Sequence, residues 1–203
     1  MSPIEPRPRV AYVIALLSMP AVARAQQTDT GLGPIYDGIA HLLLSFEDLL
    51  PVVALALLAG LNGARAGRIV LFILPVAWLG GGIAGVLAAG AAPPSIVTSL
   101  SLLALGVLTA ASARLGPALV VALATTLGIT HGWLNGSGIA AAGREASGLI
   151  GIAGPVFVVL ALASALVVSL RRPWTRVAVR VTGSWFAAVG LLMLGWGLRG
   201  VPA

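Results

Sequence analysis

The sequence predicts an all-α polytopic membrane protein, a bundle of about six transmembrane helices behind an N-terminal signal peptide. Three observations point there. The chain of 203 residues is 59% hydrophobic and 9% charged, with a mean hydropathy of +1.04, and so has too little polar surface to coat a soluble globule of its size. Its apolar residues fall in runs close to the ~20 residues that cross a hydrocarbon core. Its twelve basic residues, all Arg, sit mainly in short loops between those runs, which reads as membrane topology; no nucleic-acid partner is expected despite the net charge of +6.

The chain begins with Arg7 and Arg9 ahead of an apolar run from Val10 to Met19, then Pro20 and the small-x-small triplet Ala23-Arg24-Ala25. That order is the pattern of a secretory signal peptide, with cleavage before Gln26. The alternative is an uncleaved anchor helix, for which the run is short. Residues 1–25 are therefore expected to be the signal peptide and 26–203 a six-helix transmembrane domain.

Six spans follow, approximately Gly38 to Leu61, Arg68 to Ala89, Ser95 to Ser112, Pro117 to Leu134, Leu149 to Leu170 and Trp174 to Leu198. Their connections carry helix breakers: Asn62-Gly63, Pro93-Pro94, Gly116-Pro117 and Arg172-Pro173. With the mature N-terminus outside, Arg65, Arg68, Arg114, Arg171, Arg172, Arg176 and Arg180 fall on the cytoplasmic side. Only Arg144 and Arg199 fall on the other, as the positive-inside rule requires. The expected location is the bacterial inner membrane, multi-pass, with the mature N-terminus in the periplasm.

Glycines inside the spans let helix backbones approach closely. Trp174 and Trp196 lie near opposite ends of the last span as interfacial anchors, and Trp78, Trp133 and Trp185 read as either core fillers or the lining of a pathway, with the core favoured. With no Cys in the chain, any metal must be held by imidazole, carboxylate, amide or carbonyl groups.

Residues 34–51 place Asp37, His41, Glu47 and Asp48 at the start of an otherwise apolar span, and ionisable groups at membrane depth usually serve a function. On one continuous helix Asp37, His41 and Asp48 fall within about 40° of each other while Glu47 points elsewhere. His41 and Asp48 would then be ~10 Å apart along the axis, so bringing all three to one ion requires a break. Pro51 frees the carbonyl of Glu47 and makes a bent or re-entrant helix plausible. A second polar group lies in the fourth span. Its Thr125, Thr126 and Thr130 lead to His131-Gly132-Trp133-Leu134-Asn135, with His131 and Asn135 four apart on one face. Ser137, in what reads as a Gly-Ser-Gly loop, is also close enough in sequence to His131 to be weighed as a nucleophile.

At these residues the chain resembles the HupE/UreJ family of bacterial membrane proteins, which carry an early H-P-x-x-G-x-D-H-L-L motif and a later H-G-x-x-H-G-x-E motif. The stretch from His41 to Leu50 lies on the first, with Glu47 where the family has Asp and Asp48 where it has its second His. The stretch from His131 to Gly136 lies on the second, with Asn135 in place of His, and the glutamate expected after it is absent, although Glu145 follows in the next loop. The resemblance implies uptake of nickel or cobalt for hydrogenase or urease. The loss of two imidazoles makes the donor set harder, so manganese or another hard cation also fits.

The expectation is a secondary permease for a divalent transition-metal cation, not an enzyme, whose outward-facing site is Asp37, His41, Glu47, Asp48, His131 and Asn135. The alternative is a non-transporting accessory or assembly subunit of a metalloenzyme system. Expected partners are the lipid bilayer, the divalent metal ion, and a second copy of the chain or an accessory protein.

Overall fold

A computed structural model describes residues 29–88 and 96–199. The expected signal peptide, residues 1–25, lies outside the described residues. Among them the structure is all-helical, with α1 Pro34–Leu44, α2 Phe46–Leu61, α3 Ala64–Ala88, α4 Ile96–Ala110, α5 Pro117–Ala141, α6 Gly148–Ser169 and α7 Pro173–Arg199.

Among the described residues four helices, α3, α5, α6 and α7, are long and apolar enough to cross a membrane singly. The expected first span is instead two helices, α1 and α2, bent by 70° at Ser45. Counted as one span, the pair brings the number to five; α4 has 15 residues, about 22 Å of helix, which is short of the ~30 Å hydrocarbon core.

Local chemistry fixes the bend. Ser45 adopts extended backbone (φ −84, ψ 98), so its N–H still closes α1 on the His41 carbonyl at 2.8 Å while its own carbonyl opens α2 by accepting from Asp48 N and Leu49 N. The break falls six residues before Pro51, which continues inside α2. Each half has its own packing partner. Gly38 and Gly151 bring α1 and α6 into backbone contact: a Cβ on Gly38 would meet the Gly148 carbonyl, and one on Gly151 the Ile35 carbonyl. Helix α2 runs into the centre of the bundle, with Val52, Ala54, Leu55, Ala56 and Leu58 all buried.

The most extensive helix pairs are α3 with α5 and α4 with α7. In the first, Gly132 lies directly against the Trp78 backbone carbonyl, the close approach that small residues permit between membrane helices. Trp78 is fully buried, as expected, whereas Trp185 is 68% exposed on the outward face of α7. Helix α7 buries only Val179, Gly183 and Gly190, which leaves most of its apolar surface for lipid.

Hydrogen bonds between loops gather one end of the bundle. Asn62, after α2, donates to the Ala113 carbonyl and accepts from Leu115 N, so the α2–α3 turn is tied to the α4–α5 loop. Arg180 Nε donates to the Ala110 carbonyl and brings α7 to the same place. Arg65, Arg68, Arg114 and Arg176 belong to these segments, whereas Arg144 lies at the other end beside Asp37.

Helix α5 extends seven residues beyond the expected end at Leu134, to Ala141. The Asn135-Gly136-Ser137-Gly138 stretch is helix, not loop, because Gly136 can sit against the Gly82 backbone of α3.

Candidate metal-cation site at the helix bend

The bend at Ser45 turns two residues of one stretch into facing walls. His41 is on the last turn of α1 and Asp48 on the first turn of α2, with His41 Nε2 3.4 Å from Asp48 Oδ2. A straight helix would hold them ~10 Å apart along its axis.

Asp48 is 5% exposed, and a buried carboxylate needs partners. It has three. His131 Nδ1 lies 2.8 Å from Oδ1, and Asn135 Nδ2 donates to Oδ2 at 3.0 Å; His41 is the third. Since a carboxylate only accepts, the Nδ1 of His131 carries the proton in this contact. The four-residue spacing of His131 and Asn135 delivers both to one carboxylate, as helix geometry dictates. Asn135 uses its second N–H on the His131 carbonyl at 2.8 Å, which leaves its Oδ1 buried without a hydrogen-bond partner among the described residues.

His131 is fully buried and packs on the Trp78 ring with centroids 5.5 Å apart. Its Nε2 lies 3.0 Å from Ser101 Oγ of α4. Ser101 was not singled out from the sequence. The signal available was the polar set Thr98, Ser99 and Ser101 in an apolar span; what a sequence lacks is the register between α4 and α5.

Asp37 is not brought to this cluster. Past the bend, it accepts from Thr30 N and Thr30 Oγ1, both at 2.7 Å, and pairs with Arg144 Nη1 at 3.3 Å. Glu47 is exposed next to Asp48. Ser137 is buried inside α5 and its Oγ has no hydrogen-bond partner among the described residues.

The cluster sits about 21 Å from the Arg-rich end of the bundle, counting fourteen residues of helix from Asp48 to Asn62 and from Pro117 to His131. It is therefore beyond the midpoint, toward the end that holds Asp37 and Arg144. Its donors presently bond to one another. Among the described residues no group of three or more His, Asp or Glu side chains stands ready to hold a metal ion. One carboxylate, two imidazoles and an unpartnered amide oxygen are nevertheless the donor types that a borderline divalent cation takes.

Comparison with known proteins identifies a family. No curated protein and no solved structure matches the chain, but the family profile described as HupE / UreJ protein matches residues 12–193. That family is associated with nickel or cobalt transport and with accessory roles toward urease and hydrogenase. Because the match takes in both the bend that carries His41 and Asp48 and the helix that carries His131 and Asn135, and runs on into α7, the chain belongs to the HupE/UreJ family.

Proposed function

We propose that the protein is a secondary membrane permease for a divalent transition-metal cation, and that the cluster of Asp48, His41, His131 and Asn135 receives the ion. One observation carries this reading: a buried carboxylate at the corner of a broken span, bridged to imidazoles from two different helices. Broken helices at membrane depth are where transporters place their ion sites, because the break frees backbone and side-chain donors inside the bundle. Asp37, paired with Arg144, and Glu47 lie nearer the end opposite the arginine-rich loops and supply negative charge on the approach. The gathering of Arg65, Arg68, Arg114 and Arg176 at one end supports an inner-membrane orientation with that end in the cytoplasm. The cluster then faces the periplasmic half. The sequence holds no phosphate-binding loop of the G-x-x-x-x-G-K type, so uphill movement would draw on an ion gradient or an energising partner.

The cargo class follows from the donors. Nickel or cobalt is the family's association, and the replacement of two imidazoles by Asp48 and Asn135 favours an ion that accepts oxygen, such as manganese or another hard cation. Uptake of radiolabelled metal by cells expressing the protein tests the reading. His41→Ala and His131→Ala should each abolish metal-dependent uptake with unchanged amounts of protein in the membrane. Unchanged uptake in both variants would sink it.

A second reading, a non-transporting accessory subunit, is favoured by the self-bonded state of the cluster, in which every described donor except Asn135 Oδ1 has a protein partner. It requires that a partner protein co-purify and that the isolated chain bind no metal.

A further inference from the structure

The hydrogen bonds at Asp48 continue past His131. Asp48 Oδ1, His131 Nδ1, His131 Nε2 and Ser101 Oγ form one chain across α2, α5 and α4, with steps of 2.8 and 3.0 Å. A metal-ligating imidazole must point the lone pair of one ring nitrogen at the ion. His131 has neither nitrogen to spare: Nδ1 faces a carboxylate, Nε2 faces a hydroxyl, and the fully buried ring is pressed on Trp78. In metal centres a ligating His commonly donates its other N–H to a carboxylate that orients it. Here the relationship runs the other way, because the imidazole is the more deeply buried member and the carboxylate faces the bend.

The other groups around Asp48 differ. The His41 side chain is 18% exposed, with its Nε2 3.4 Å from Asp48 Oδ2. It is carried by α1, beyond a 70° bend. Asn135 holds its Oδ1 without a hydrogen-bond partner among the described residues, and the residue is 8% exposed.

We propose that His131 and Ser101 are positioning residues for Asp48, and that the cation is taken by Asp48, His41 and the amide oxygen of Asn135. The proposal rests on the permease reading above and sharpens it. A set of one imidazole and two kinds of oxygen suits manganese better than nickel, which gains from additional imidazoles. It also gives the two histidines different work, although each stands on a family motif. Ser101 contributes by holding the His131 ring in the plane that aims Nδ1 at Oδ1; its own proton has two acceptors in reach, His131 Nε2 and the Thr98 carbonyl at 2.8 Å.

The chain has only two histidines, so the number of imidazoles on a bound ion can be counted without any variant. The full chain, purified in detergent with ring-labelled histidine, is loaded with Mn(II), and electron spin echo modulation counts the coordinated imidazole nitrogens. One imidazole is expected. Two would overturn the proposal while leaving the permease reading intact, as would a chain that takes Ni(II) alone, whereas a chain that takes up none of Mn(II), Co(II) and Ni(II) removes both.

Titration with Co(II), followed by its visible bands, then assigns the ligand. His41→Ala should move the bands. Ser101→Ala should leave them in place yet weaken binding tenfold or more, the usual size of an outer-layer loss, and Ser101→Thr should restore it. Wild-type affinity in a folded Ser101→Ala protein would overturn the role of Ser101. Bands that shift in His131→Gln but not in His41→Ala would overturn the assignment of the ligand.

Discussion

His131 Nδ1 stands 2.8 Å from Asp48 Oδ1, between residues 83 positions apart, and that contact fastens the corner of the broken first span to the middle of α5. Removing the carboxylate strands buried donors from His131 and Asn135 at once, and each buried donor left unsatisfied costs about 1–3 kcal/mol. Asp48→Ala should lower the melting temperature in detergent by about 10 °C, judged by tryptophan fluorescence. Asp48→Asn, which keeps one acceptor, should fall between the two. A melting curve for Asp48→Ala that overlays the wild type would show that the contact holds nothing together.

Helix spacing made much of this cluster legible. The run lengths and the Pro and Gly punctuation located the helices, and the spacing of four between His131 and Asn135 put both on one side of α5. The same arithmetic grouped Asp37 with His41 and Asp48 only because it assumed a continuous helix. The bend at Ser45 leaves His41 and Asp48 facing each other and sends Asp37 to Arg144. Ser101 was out of reach for a different reason: a serine in an apolar span announces a polar contact without saying to which helix.

Gly132 lies so close to the Trp78 carbonyl that a methyl group has no room there. Gly132→Ala should push α5 away from α3, withdraw His131 from Asp48, and reduce both thermal stability and metal uptake. Gly80→Ala on the same α3 helix meets nothing within 4 Å and should behave as wild type. If the two alanine variants are indistinguishable, the close α3–α5 packing is not what sets the cluster.

Asn62 bridges two loops through the Ala113 carbonyl and the Leu115 amide. Asn62→Ala leaves those backbone groups to find water, at about 1–3 kcal/mol, and should loosen the loop around Arg114. Limited trypsin digestion of the purified protein should then cut after Arg114 several times faster than in the wild type, with uptake little changed.

The Asp37–Arg144 pair is partly exposed and its partners are screened by solvent and salt. Asp37→Asn should keep the melting temperature within about 2 °C of wild type and should leave maximal uptake intact. Because this carboxylate is proposed to attract cations rather than hold them, any loss should show only at low metal concentration and should fade as ionic strength rises. Abolished uptake at saturating metal would place Asp37 among the ligands instead.

Asp48, His131 and Ser101 stand in the order of a charge-oriented serine nucleophile, and Ser137 lies nearby in sequence. Ser101 Oγ, however, also has the Thr98 carbonyl as an acceptor, and Ser137 is sealed inside the bundle. A fluorophosphonate probe should label neither serine in detergent-solubilised protein. Covalent labelling that disappears in Ser101→Ala would require a hydrolase.

The corner at Ser45 makes the site depend on spelling as well as on letters. With α1 and α2 pinned separately to α6 and the core, one residue inserted between His41 and Ser45 would swing His41 by about 100° around its helix and out of reach of Asp48, although every original side chain survives. Homologues that keep a histidine and an acid here should therefore keep the seven-residue interval between them free of insertions and deletions, while the outer loops vary in length at will.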